Sequence, residues 1–295
     1  MNLFATLRFR GTPKIYEYRF GTRRRRHEGR IYVTDCFLDN KIFFPYVIGV
    51  SAGASNGLSY ASRQRGRARK CDIEILSERN YIGLRYLITS GCIMDYDFLF
   101  DELPKKRLPY DMQAYLKSGR YVMVATSCAT GKPVYFDTPT DFDDLLLKCK
   151  ASCSLPFVCR TVTVEGVPML DGGISDPLPV ERAKEDGYAK RVVVLTRNLG
   201  YRKNEKFSRV PPFIYPKFPK LREALSTKNA RYNRELAHIE ELERAGEIVV
   251  IRPKNPLRVN RLERSPKRLD DLYREGYECA ESSLAAIRAL AKRDF

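Results

Sequence analysis

The chain has 295 residues, 43% hydrophobic and 30% charged, a globular composition that excludes wholesale disorder and allows one large α/β domain or one domain with a small appendage. Its net charge of +17 and pI near 9.5 favour polyanionic surroundings, nucleic acid or anionic lipid. No zinc-finger spacing, aromatic RNA-binding motif or basic-zipper pattern accompanies the charge, which argues against nucleic acid as partner.

Residues 1–40 read as an irregular segment. They hold four consecutive arginines, Arg23 to Arg26, and the start lacks the charged n-region and apolar stretch of a signal peptide. The run Phe43-Phe44-Pro45-Tyr46-Val47-Ile48-Gly49-Val50 ends as a buried parallel strand does, in continuous apolar residues. The small-residue stretch Ala52 to Ser62 then predicts a tightly packed helix that stops near Gly66. Further strands are expected at Tyr121–Thr126, Thr161–Glu165, Val192–Thr196 and Ile248–Arg252. Tyr121–Phe136 reads as a hairpin, and Glu165-Gly166 as a second tight turn. The proline-rich stretch Val210–Pro219 leads into two helical patterns, Arg222–Ala245 and Leu269–Lys292, with apolar residues at i, i+3 and i+4. The expected division is 1–40, 41–220 and 221–295, the last part packing on the core.

Eight cysteines are scattered with no C-x-x-C pair, and only two histidines are present, so the sequence offers no metal site and no cofactor box. Reduced thiols and a cytoplasmic setting follow as the expectation. No apolar run reaches the ~18–20 residues needed to span a bilayer, so any membrane contact is expected to be peripheral.

The most informative residues are Gly49-Val50-Ser51-Ala52-Gly53. This is G-x-S-x-G between a strand and a helix, where the glycines permit a sharp turn that exposes the serine hydroxyl above the sheet edge. A helix N-terminus there favours a developing oxyanion, and the Ala52 N–H is the natural donor to it. The plain alternative is a tight turn with a capping serine.

A serine hydroxyl needs a base. His27 sits in the arginine run. His238 lies mid-helix, although the chain order Ser51, Asp171, His238 would suit an ordinary hydrolase triad. Asp171 in Met169-Leu170-Asp171-Gly172-Gly173 ends a strand, and its two glycines let a partner approach. Asp-Gly is also a favoured turn pair, which leaves a structural role open.

Ser51 in G-x-S-x-G together with Asp171 in D-G-G resembles the patatin-like phospholipase family, and the likeness runs on. Ala151-Ser152-Cys153-Ser154-Leu155-Pro156 is similar to the family's A-S-x-S-x-P segment. Asp176-Pro177-Leu178-Pro179-Val180 is similar to its turn after D-G-G. Asp97-Phe98-Leu99-Phe100-Asp101-Glu102-Leu103-Pro104 resembles the bacterial cytoplasmic branch. The resemblance, over residues 42 to about 290, implies a three-layer α/β fold with a mostly parallel central sheet, helices on both faces and a C-terminal helical extension. It implies a Ser51–Asp171 dyad that hydrolyses lipid carboxylic esters through an acyl-serine, with no cofactor.

One departure stands out. The family opens with a glycine-rich loop whose N–H groups complete the oxyanion hole, and here the chain reads Gly21-Thr22-Arg23-Arg24-Arg25-Arg26-His27-Glu28-Gly29-Arg30. Arginine codons CGG or AGG become glycine codons one base later, so Arg23–Arg30 is what such a loop becomes out of frame. The alternatives are a true anion-binding patch and, for the whole chain, a lipid-binding pseudoenzyme.

Overall fold

Nine strands join in one sheet in a computed structural model of the chain, which describes residues 3–6, 16–17, 33–75, 79–205, 209–256 and 265–292. They are β1 (Leu3–Thr6), β2 (Tyr16–Glu17), β3 (Tyr46–Val50), β4 (Arg120–Ser127), β5 (Pro133–Phe136), β6 (Val162–Val164), β7 (Val167–Asp171), β8 (Arg191–Val194) and β9 (Ile248–Ile251). The order is β6-β7-β4-β3-β1-β8-β9, with β2 beside β1 and β5 beside β4. All five residues of β3 and four of four in β8 are buried, as strands covered on both faces must be.

The sheet is mixed, which corrects the expectation of a mostly parallel one. Only β3–β4 and β8–β9 pair parallel, and the other pairs are antiparallel. Tight turns cause part of the difference, because a chain that reverses within a few residues can only pair antiparallel. The β6–β7 turn is Glu165-Gly166, both with positive φ (50° and 78°), the geometry of a two-residue hairpin loop. The β4–β5 hairpin also turns as the sequence predicts.

Six helices are relevant to the site: α1 (Thr34–Asp39), α2 (Ala52–Ala61), α3 (Phe142–Cys153), α4 (Val180–Glu185), α5 (Pro219–Arg244) and α6 (Pro266–Lys292). Helix α1 falls within the segment expected to be irregular; Cys36 and Phe37 anchor it in the core. Asp141 caps α3 by accepting from the Asp144 N–H, satisfying one of its orphan donors. Helix α2 ends at Ala61, before Gly66, whose left-handed backbone (φ 76°) starts a new helical run, Arg67–Arg69 and Lys70–Ile75. Between α2 and β4 the described chain forms no sheet strand. It makes short helical pieces, among them Phe98–Arg107, that wall the pocket described below.

The long C-terminal helices bury one stripe each. Tyr232, Leu236 and Ile239 of α5 and Leu272, Leu284 and Ile287 of α6 belong to the same hydrophobic cluster as the sheet residues Val47, Val122 and Val193. No described helix is long and apolar enough to cross a membrane. Cys92 and Cys159 form a disulfide, and the other six cysteines are not disulfide-bonded. The sequence reading expects reduced thiols throughout. It misses this pair because an antiparallel bridge between distant segments, 67 residues apart, brings the two side by side.

Because Ile287 is fully buried in the shared cluster, Ile287→Ala is expected to cost about 2–5 kcal/mol. In chemical denaturation the whole chain should lose stability in one shifted transition, and a separate early transition of the C-terminal helices would contradict this.

Candidate active site

Ser51 sits where β3 passes into α2, with φ 60° and ψ −130°. Such a backbone costs a non-glycine residue about 1–3 kcal/mol and persists only where its surroundings enforce it. Three contacts enforce it. The Ser51 carbonyl accepts from the N–H groups of Ala54 (2.8 Å) and Ser55 (3.3 Å), which starts α2 at once. A Cβ on Gly49 would lie 2.8 Å from Ala54 N and Cα, so the helix can fold back over the strand end only on a glycine. The Ser51 N–H donates to Ser152 Oγ at 3.0 Å, and Ser152 Oγ donates in turn to the Val124 carbonyl at 2.6 Å. Gly53 lies in the buried first turn of α2; the Tyr121 hydroxyl, beneath it, donates to the Ala54 carbonyl at 2.5 Å.

The hydroxyl so placed is 1% exposed as a residue, and its Oγ makes no hydrogen bond among the described residues. Ala52 is the first residue of α2, so its N–H has no partner within the helix.

Asp171 ends β7 and is 3% exposed. Its N–H donates to the Ser154 carbonyl (2.7 Å), and its carbonyl accepts from Thr126 Oγ1 (2.9 Å). Thr126 has one proton and gives it to Asp171, so Ser175 Oγ, 2.7 Å away, donates to Thr126. Oδ1 accepts from the Gly173 N–H at 2.7 Å. Gly172 is needed because a Cβ there would collide with the Val124 carbonyl. The backbone around Asp171 is therefore pinned on both sides.

Register places the two residues together. Val50 pairs with Val124 on one side of β4, and Asp171 pairs with Ala125 on the other. Ser51, next after Val50, therefore lies level with Ala125, and Ser51 and Asp171 flank that strand at about two strand spacings, ~10 Å between backbones. Tyr96 closes this end of the sheet. Burial, then the neighbouring Cys153 and Asp171, push its phenol far above its ordinary pKa, so it stays neutral and donates to the Cys153 carbonyl at 2.6 Å.

Ser51 opens on a cavity of about 90 Å³. Its apolar wall includes Met94, Leu99, Phe100, Leu103 and Leu155, and α2 contributes Ser55, Asn56 and Ser59. The site carries polar hydroxyl, carboxylate and N–H groups beside an apolar slot, an arrangement suited to acyl chemistry. Among the described residues no group of three or more His, Cys, Asp or Glu is placed to hold a metal.

His238 lies elsewhere. It is on the surface of α5 with Nε2 2.7 Å from Glu181 Oε1, so it joins neither Ser51 nor Asp171. His27 and the arginine run Arg23–Arg30 lie outside the described residues. Sequence reasoning missed Ser152 as the acceptor for the Ser51 N–H. The one signal was its place in Ala151–Pro156.

This fold, with a strained serine between strand and helix and an aspartate across the neighbouring strand, defines a class of serine-centred α/β proteins. The chain belongs to the patatin-like phospholipase family, whose model matches residues 31–184, just over half of it. The match begins directly after Arg23–Arg30. Residues 218–292 match a domain of unknown function, DUF6363, which takes in α5, β9 and α6. The uncharacterized protein YjjU of Escherichia coli (strain K12) is 31% identical over 159 residues, 52% of this chain and 43% of that protein. The chain thus matches less than half the length of that relative.

Ser152→Ala leaves the buried Ser51 N–H without its acceptor, an expected loss of about 1–3 kcal/mol. Chemical denaturation checks this, and an unchanged midpoint would mean that the elbow is held without Ser152.

Proposed function

We propose that the protein is a serine acyl hydrolase that cleaves carboxylic esters of lipids, of phospholipase A or lysophospholipase type. In this reading Ser51 is the nucleophile, Asp171 its base and the Ala52 N–H an oxyanion donor. The observation that carries it is the Ser51 elbow itself. A left-handed serine backbone is held by three separate contacts, and its hydroxyl, unbonded, opens on an apolar cavity. Strain kept in this way at one polar residue is a mark of a working site.

The chemistry follows from the positions. Asp171 takes the hydroxyl proton as Ser51 attacks the ester carbonyl, and the carbonyl oxygen, now negative, meets the N-terminal end of α2. The tetrahedral intermediate collapses to an acyl-serine as Asp171 passes that proton to the departing alkoxide, which leaves as the neutral alcohol. Water, deprotonated by Asp171, then releases the fatty acid. Among the described residues Ser51 Oγ makes no hydrogen bond, and catalytic contacts often tighten only when substrate is bound. The positive net charge would hold the protein against an anionic lipid surface.

A second reading has a specific observation behind it. An arginine run occupies the place of the family's glycine-rich loop, and each missing oxyanion donor costs about 10²–10³ in rate. A protein without that loop would bind lipid and turn it over slowly or not at all.

Hydrolysis of p-nitrophenyl butyrate separates the two. On the first reading Ser51→Ala and Asp171→Asn each lose about 10³-fold or more while far-UV circular dichroism and melting stay as in the wild type. Wild-type hydrolysis no faster than that of Ser51→Ala would sink the enzyme and leave the lipid binder.

A further inference from the structure

The cavity beside Ser51 is not a plain hydrocarbon slot. Arg67 lines it at 6% exposure. Its guanidinium stacks on the Tyr110 ring, 3.3 Å from the centroid, and donates to Ser59 Oγ (3.3 Å) and the Leu108 carbonyl (2.5 Å). Both acceptors are neutral. Nε makes no hydrogen bond, and among the described residues no carboxylate lies within ion-pair distance of Arg67. Asp72 is a buried carboxylate in the same wall, and among the described residues it makes no ion pair with Arg67. Asn56, 8% exposed and also in the wall, has an unbonded Nδ2. A buried cation with no carboxylate in contact with it, and a buried amide donor without an acceptor, are each costly to a protein. Two such donors facing one cavity point to an occupant that brings negatively charged oxygens.

We propose that Arg67 and Asn56 form a subsite for an anionic oxygen group, carboxylate or phosphate, on the molecule whose ester Ser51 attacks. The inference rests on the acyl-hydrolase reading for the word substrate, and on the cavity alone for the anion. The spacing sets the size. Asn56 is five residues along α2 from Ser51 and Ser59 is eight, so the subsite lies ~7–12 Å from the nucleophile at 1.5 Å rise per residue. An extended chain covers that distance in roughly seven to ten bonds. A medium-length acyl group ending in a carboxylate fits, and so does a phosphate on the alcohol side. A long saturated chain fits poorly, since it would bury the guanidinium against methylene groups.

Binding is measured first, on the Ser51→Ala protein, so that turnover is not needed. Calorimetry with monomethyl suberate and with inorganic phosphate is expected to show binding that Arg67→Gln weakens about 10–100-fold, the worth of a charge-assisted hydrogen bond. Arg67→Lys, which keeps the cation, is expected to retain more than Arg67→Gln. Should Arg67→Gln fail to fold, Asn56→Asp replaces the amide donor in the same cavity wall by a carboxylate and has to weaken anion binding at least tenfold. Turnover then assigns the source. If the acyl side carries the anion, the preference for the p-nitrophenyl monoester of suberic acid over p-nitrophenyl octanoate collapses in Arg67→Gln. If the alcohol side does, the preference for 1-octanoylglycerol 3-phosphate over 1-octanoylglycerol collapses instead. Binding of neither anion at millimolar concentration, or binding indifferent to Arg67 and Asn56, would overturn the subsite. Binding that behaves as expected with no Ser51-dependent hydrolysis would keep the subsite and remove the acyl hydrolase.

Discussion

The carbonyl of Val124, within β4, is the point on which the site depends. Ser152 Oγ donates to it and thereby stands where it can accept the Ser51 N–H. The Gly172 backbone packs so close to it that no side chain can intervene. Val124 is also the register partner of Val50. One peptide group thus ties the serine elbow, the end of α3 and the Asp171 turn to a single strand. A change at any of the three is transmitted to the other two through a contact that close packing leaves no room to adjust.

From this follows a division of labour within the chain. The sheet and α2 fix Ser51 and Asp171, whereas the strand-free stretch between α2 and β4 supplies most of the pocket wall. The first part is held by backbone hydrogen bonds and by glycines that tolerate no Cβ. The second is held by side chains, among them the Arg67 stack on Tyr110 and the Tyr96 hydrogen bond to Cys153, with the Cys92–Cys159 disulfide joining it to the segment after α3. The lining of the pocket can therefore change in one stretch of sequence without disturbing the placement of Ser51 and Asp171, as is usual where a rigid scaffold carries variable loops.

Much of this was legible in the sequence because it is local. A strand, a glycine and a serine before a small-residue helix announce the elbow within sixteen residues, and the hairpins declare themselves by their turn residues. Asp171 was legible from its glycines, though its register beside Ala125 was not. What stayed hidden is non-local or runs against type. Pair direction in the sheet depends on where each strand docks, which apolar runs do not encode. Ser152, near the end of α3, looks like any helical serine until its partner is seen 101 residues away. Arg67 reads as one more surface cation in a chain with 53 lysines and arginines. Only the fold shows it to be buried, because its burial comes from Tyr110 and Leu108, more than forty positions later in the chain.

The convergence on Val124 has a consequence for how the molecule comes into being. The residues that meet there are Val50, Ser152 and Gly172, with Ser51 joined through Ser152, and long lengths of chain separate them. Closing loops of that size costs entropy before any contact repays it, so topologies of this kind assemble slowly and their most distant pairings come late. A nascent or partly folded chain holds the serine motif from an early moment but lacks the peptide that keeps it strained. On the proposed hydrolase reading, competence arises only with the final docking of β4 and its neighbours, and the serine stays silent until the architecture around it is complete.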